Sequence, residues 1–303
     1  MTSITIPSAK TARPTSHSSS RANTGWVGYL LVAPPVIIMV FLIFYPAVQA
    51  IIDTLFLTDF NTGVTRFSTE GYTKFFQEPI LTANLWFTVQ VTLITVALLF
   101  CVGYPLALYL RFSKSRLAGA VQMLTLFPLF VPGVILAFAL IQFLGTHGMF
   151  DTLLHLVGIT GFRTPYLQPT GIVIALVWEN IPFSVLVLTA GLRQVEDPVV
   201  ESARDVGANN WQIFSRILLP LSMRSAVIVF CLNVIGLFGA FTVPYLLGPA
   251  QPMMMGVSMQ QSYNNYQDRI GALTQAVITF VICASVGLLY VRTVTRPRGG
   301  ERA

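Results

Sequence analysis

Charge is what this chain has least of. Only 10% of its 303 residues are Asp, Glu, Lys or Arg, against about 25% in soluble domains. Catalytic material is equally thin: no Ser/His/Asp or Cys/His set and no paired carboxylates stand out. There is no Gly-x-x-x-x-Gly-Lys-Ser/Thr loop, so the chain cannot cradle a nucleotide in the usual backbone nest. The three His (His17, His147, His155) are scattered without metal-ligand spacing. The three Cys (Cys101, Cys231, Cys283) lie in apolar runs, where they act as small apolar residues and imply no disulfide framework. These absences argue against a membrane enzyme and against any metal or cofactor. Period-2 alternation is also missing, which argues against a β-barrel. No internal repeat is evident, which weakens inverted-repeat secondary transporters.

What remains is apolar. Hydrophobic residues make up 54% of the chain, and the mean hydropathy is +0.70. Uncharged intervals run over 22–52, 79–110, 117–150, 225–267 and 270–291, and residues 170–192 contain only Glu179. Each can hold the roughly 20 apolar residues that cross a bilayer as a helix. The expected architecture is therefore all-α, with six transmembrane helices near 27–51, 84–109, 119–144, 170–192, 225–247 and 270–291.

The net charge of +6 reflects topology rather than nucleic-acid binding. With these spans, 14 Lys and Arg fall on one side and 4 (Arg66, Lys74, Arg163, Arg269) on the other. The positive-inside rule places both termini and the 193–224 loop in the cytoplasm.

Residues 1–25 are rich in Ser and Thr and free of acids, the composition of a disordered tail and also of an organelle transit peptide. Ala47-Val48-Gln49-Ala50 has the form of a signal-peptidase site. The apolar stretch before it exceeds the roughly 7–15 residues of a signal core, so the first span reads as an uncleaved anchor. The transmembrane domain spans 26–293, and a basic tail covers 294–303. Of the connections, 53–82 offers Phe75-Phe76 as a short amphipathic helix, 145–169 reads as a Gly-rich surface or re-entrant loop, and 248–269 as a polar connection. Pro105, Pro128, Pro132, Pro182 and Pro244 interrupt apolar runs. Each frees a main-chain carbonyl, so such helices face other helices or a water-filled cavity.

The most informative polar segment is 196–220. Four Arg and four acids crowd between Arg193 and Arg224. Asp197 is a good helix N-cap, Pro198 suits the first helical position, and Gly207 can end the helix left-handed. Asn209 or Asn210 can cap a second helix that re-enters the membrane near Pro220. The first helix presents small Ser202 and Ala203 beside Glu201, Arg204 and Asp205. Small residues allow a partner to approach closely while the charges set register. An interfacial helix lying on lipid is the alternative, but such helices favour Lys and Arg over balanced charge.

Glu201-Ser202-Ala203, then Gly207, then Ile217-x-Leu219-Pro220, resembles the EAA loop of ABC importer permeases. Ser202 for the first Ala is the only departure. Gly103-Tyr104-Pro105-Leu106-Ala107, Ile181-Pro182-Phe183, Gly239-Ala240-Phe241-Thr242-Val243-Pro244 and Leu246-Leu247-Gly248-Pro249 look like the spermidine/putrescine-type permeases, though importers of iron, thiamine, phosphonates and opines share them. The resemblance implies the type I importer permease fold in a bacterial inner membrane. It implies that the loop is a coupling helix seated on a cytoplasmic ABC ATPase dimer, with Glu201, Ser202, Ala203, Asp205, Gly207, Ile217, Leu219 and Pro220 as its residues. It also implies a second, related permease, an external substrate-binding protein and a polyamine-like cargo.

Glu179 is the one acid inside a span, near its middle. An intramembrane charge is by default a functional hypothesis. Trp178 and Asn180 flank it, and Pro182 frees the Trp178 carbonyl, an acceptor-rich setting for an ammonium group. Substrate contact, pairing with a partner helix and a protonated bystander are all open. Asn233 and Gln142 are further uncharged polar groups within spans, candidates for interhelical hydrogen bonding. One acid is too few for an ion-driven secondary transporter.

Overall fold

A computed structural model describes residues 24–58, 65–159, 161 and 164–295. The two terminal tails, apart from their innermost residues, and Arg163 lie outside the described residues. The chain divides at Gln49 and Ala50 into two units. The first contains α1 (Thr24–Met39), a π turn (Val40–Phe44) and the start of α2 (Tyr45–Leu55).

The second unit opens with the rest of α2, followed by an antiparallel ribbon of two three-residue strands, β1 (Phe56–Thr58) and β2 (Thr65–Phe67), with Phe56 opposite Phe67. Helices follow as α3 (Glu70–Gln77), α4 (Pro79–Phe112), α5 (Leu117–Leu126), α6 (Gly133–Leu144), α7 (Met149–Leu156) and α8 (Pro169–Arg193). Then come α9 (Asp197–Asp205), α10 (Asn210–Ile213), α11 (Leu219–Phe238), α12 (Thr242–Leu247), α13 (Met255–Asn264) and α14 (Arg269–Thr295). Six helical segments are long and apolar enough to cross a membrane: Gly28–Leu55, Pro79–Phe112, Gly133–Leu156, Pro169–Arg193, Asn210–Phe238 and Arg269–Thr295.

Two expected spans are corrected. The third is not one helix over 119–144. It breaks into α5, a 3-10 turn (Phe127–Phe130) and α6, because Pro132 has no N–H to continue α5 and instead precedes the first turn of α6. The fifth does not reach residue 247. It starts at Asn210, stops at Phe238, and leaves Pro244 in the separate α12. Pro105 and Pro182 lie inside unbroken α4 and α8. Both π turns sit one residue before a proline: Val40–Phe44 before Pro46, and Phe214–Leu218 before Pro220. Tyr45 N–H bonds Val40 and Leu219 N–H bonds Phe214, each five residues back, and the wider turn accommodates the missing proline donor.

The core lies where α4, α8 and α11 pack. Phe87, Val91, Ile172, Leu176, Val234 and Leu237 are buried in one cluster. Close approach of α8 and α11 depends on Gly191, since a Cβ there would lie 2.2 Å from Ser225 Oγ. Small residues let membrane helices approach in this way.

The polar connection 248–269 hides a helix that the pattern does not show. Met253, Met254 and Met255 are buried, and α13 follows them. Its entry is capped by side chains of α4. Asn84 Oδ1 accepts from Met253 N–H at 2.9 Å, Thr88 Oγ1 accepts from Met255 N–H at 2.8 Å, and Asn84 Nδ2 donates to Ser258 Oγ at 3.2 Å. Gln275 of α14 donates to Ser262 Oγ at 2.8 Å. The amphipathic helix expected at Phe75-Phe76 is α3, with Phe75 buried and Phe76 exposed.

Asn84→Ala removes both Asn84 contacts and leaves the Met253 N–H unsatisfied. The expected cost is about 2–3 kcal/mol, read as a lowered midpoint of thermal unfolding in detergent, with Thr82→Ala at the exposed start of α4 as a near-neutral control.

Candidate functional site

Two groups of sequence-marked residues occupy two places. The first is the loop between α8 and α11. Asp197 does not cap α9, as its position in sequence suggests; Glu196 holds the N-cap position without a side-chain bond. Asp197 is instead an ion-pair partner of Arg111 at the end of α4, at 2.5 Å, and the same Arg111 nitrogen donates to Val195 O at 3.1 Å. The tertiary partner outcompetes the local cap because a charged donor binds a carboxylate more strongly than a neutral N–H does.

The far end of α9 closes as expected. Gly207 has φ +85°, and nothing lies within 4 Å of the place a Cβ would take. Gly207 N–H bonds Arg204 O at 2.9 Å and Ala208 N–H bonds Ala203 O at 3.0 Å, the paired bonds of a Schellman ending. Asn209, rather than Asn210, caps α10 in a reciprocal box. Its side chain accepts from Gln212 N–H at 2.8 Å, and its own N–H donates to Gln212 Oε1 at 2.9 Å.

One face of this loop is anchored. Val195, Val200, Ile213 and Leu218 are buried with Tyr104, Leu188 and Leu192, and Ala203 and Ala208 pack against that cluster. Each fully buried aliphatic side chain contributes about 1.5–3 kcal/mol, ample to fix two short helices. Phe214 meets Tyr104 edge-on at 5.8 Å. The opposite face is open: Glu201, Ser202, Arg204 and Asp205 are exposed. Of the other marked residues, Ile217 and Leu219 are half-buried and Pro220 is exposed. Sequence reasoning missed Val206 and Trp211, which stand 85% and 71% exposed on either side of Gly207. The signal was there, as two bulky apolar residues flanking a turn glycine.

The second place is a pocket of about 270 Å³ between α8 and the break after α11. Glu179 and Asn180 line it with Gly236, Ala240, Phe241 and Thr242. Glu179 also touches the broken third span, since a Cβ on Gly133 would lie 3.1 Å from its Oε1. Trp178 and Asn233 do not line this pocket. Trp178 stacks edge-on against Phe127 at 6.4 Å. Asn233 is 3% exposed and donates to Ser184 Oγ at 3.1 Å and Val229 O at 2.8 Å, and Ser184 in turn donates to Asn180 O at 3.0 Å. Among the described residues no cluster of His, Cys, Asp or Glu could hold a metal.

The sequence profile described as "Binding-protein-dependent transport system inner membrane component" matches residues 100–298. The chain belongs to that family. It is a permease subunit of an ABC importer, with the type I permease fold. The spermidine/putrescine transport system permease protein PotB of Escherichia coli (strain K12) is 30% identical over 249 residues, 80% of this chain and 90% of PotB. The sulfoquinovosyl glycerol transport system permease protein SmoG of Agrobacterium fabrum is 27% identical over 279 residues, 88% of this chain and 89% of SmoG. In fold, the chain is similar to a permease in the crystal structure of a bacterial alginate ABC transporter in complex with alginate pentasaccharide-bound periplasmic protein. That likeness has a TM-score of 0.73 at 17% identity and covers 89% of this chain and 94% of that one.

Gly207→Ala forces a side chain into a left-handed conformation at a cost of about 1–2 kcal/mol. Amide hydrogen exchange over 203–208 should accelerate roughly 5- to 30-fold, while that of α8 stays unchanged.

Proposed function

We propose that this permease carries a small organic cation of polyamine type from an external binding protein to the cytoplasm, through a path shared with a second, related permease. ATP is hydrolysed by a separate cytoplasmic ATPase dimer, and α9 is the handle that this motor grips. Both termini and the α9 loop face the cytoplasm, in accord with the 14 to 4 partition of basic residues.

The observation that carries the reading is the two-faced α9. Val200 and Ala203 fasten it to the transmembrane core, while Glu201, Ser202 and Asp205 stay exposed to a partner. Small Ser202 permits close seating, and Gly207 lets the chain leave the groove at an angle. Closure of the ATPase pair then drags α9, and the shift passes into α4, α8 and α11. Each ligand biases the inward- and outward-facing states only by its differential affinity for them.

The cargo assignment rests on the likeness to PotB and on Glu179, a carboxylate at a polar pocket inside the fourth span. Asn180 adds a side-chain amide acceptor suited to an ammonium group. Membrane helices isolate such a charge from bulk water, which strengthens its attraction for a cation. A second reading keeps the machinery and changes the cargo to an opine, an aminophosphonate, thiamine or an iron complex. The likeness to SmoG, named for a cargo that is not a polyamine, supports a different cargo in general, and the pocket of the cognate binding protein discriminates: acidic and aromatic for a polyamine, basic for an anion.

In proteoliposomes holding the complete transporter, Glu179→Gln should lower putrescine uptake about 10- to 100-fold, the loss of one charged hydrogen bond, with ATPase coupling retained. Wild-type putrescine uptake by that variant removes Glu179 from the substrate path, whereas absence of putrescine uptake by the unaltered transporter defeats the polyamine assignment. Glu201→Lys should instead abolish stimulation of hydrolysis by the loaded binding protein, and unchanged stimulation would remove α9 from the coupling role.

A further inference from the structure

The exposed face of α9 explains what a motor could hold, but not how a nine-residue helix passes the pull to a 34-residue span. Arg111 offers the connection. It lies at the last turn of α4, yet its side chain is only 16% exposed. One guanidinium nitrogen donates both to Val195 O and to Asp197 Oδ1, residues immediately before and at the first turn of α9. The guanidinium also lies 5.1 Å from the Phe112 ring. Its Nε is buried without a partner, so the polar hold of the guanidinium on the loop rests on that one nitrogen and its two acceptors.

The placement matters mechanically. Hydrophobic burial of Val200 and Ala203 resists separation of α9 from the core but is non-directional and resists sliding weakly. A charged hydrogen-bonded pair is directional and fixes register. Arg111 is the residue that adds such a bond between α4 and the start of α9, while the Schellman ending and the Asn209 box make the far end rigid.

We infer that Arg111 is a positioning residue that locks α9 to the end of α4, so that the two move as one body when the ATPase pair closes. This rests on the reading of α9 as the element that meets the ATPase. Without the strut, α9 follows the motor while α4 lags, and hydrolysis continues without driving the path.

The test uses the chain assembled with its own ATPase, partner permease and binding protein in lipid nanodiscs. Arg111→Gln and Asp197→Asn should each leave the ATPase bound in the wild-type ratio and basal hydrolysis within about twofold. Stimulation by the loaded binding protein should fall about tenfold in each. The double variant should be no worse than either single one, the mark of a shared contact, and Arg111→Lys should recover part of the stimulation. Additive losses, or wild-type stimulation in Arg111→Gln, overturn the proposal.

A second measurement does not depend on activity. Spin labels at Lys114→Cys, just past α4, and at exposed Val199→Cys on α9, with Cys101, Cys231 and Cys283 changed to Ala, report the separation of the α4 end and α9. That distance should stay the same with and without ATP and spread in Arg111→Gln. A change between nucleotide states in the otherwise wild-type chain sinks the strut directly. Glu201→Lys serves as the control: if it keeps full stimulation, the coupling role of α9 is wrong, whereas loss there with normal Arg111→Gln faults the strut alone.

Discussion

A bilayer offers no water to main-chain N–H and C=O groups, so each break in a helix must find partners within the protein. This constraint organises the whole structure. Where a proline removes a donor near a membrane end, as at Pro46 and Pro220, a π turn absorbs the change within the helix. Where the chain leaves a helix, either its own main chain turns back on itself, as at Val131 and Ala240, or side chains of another span supply the bonds. Asn84 and Thr88 on α4 cap the approach to α13. Two breaks, around Val131 and around Ala240, border the place where Glu179 sits. Polar main chain and the one mid-span carboxylate thus converge at the pocket between α8 and the break after α11.

The same economy shapes the 196–220 loop. A connection that only reversed the chain would need a few residues. This one spends its length on two short helices, each closed by a specific device: the Arg111 ion pair and the Schellman ending around α9, then the reciprocal Asn209 box before α10. Short helices are marginal alone. Burial of Val200, Ile213 and Leu218 against α4 and α8 holds these two in place and leaves their charged face outward. The result is a short helix that is both rigidly held and exposed along one face.

Much of this was legible in residue order, and the reasons differ from place to place. Gly207 was readable because a left-handed helix ending has few other solutions. Asn209 was readable only as one of two candidates, since the choice depends on where Gln212 reaches back. Asp197 misled, because an Asp before a Pro looks like a cap until a basic residue 86 positions away is brought beside it. The helix α13 was illegible for a similar reason: the Gln260-Gln261-Ser262 run looks solvent-facing, and only Asn84 of α4, bonded to Ser258, and Gln275 of α14, bonded to Ser262, make the burial of those two Ser tolerable. Asn84 and Thr88, four apart on an apolar helix, were the available hint.

The amino-acid order by itself determined the number of crossings and the place of the polar loop, because bilayer thickness sets helix length and charge is too costly to bury at random. It also determined which family the chain joins, since the spacing from Glu201 to Pro220 survives without reference to any contact. Tertiary packing alone decided which helices break. A proline removes one bond wherever it stands, yet α8 runs through Pro182 while the third span parts at Pro132. It alone decided that Glu179 meets a pocket while Trp178 and Asn233 turn to neighbouring helices, because successive residues on a helix point about 100° apart and their surroundings come from distant parts of the chain.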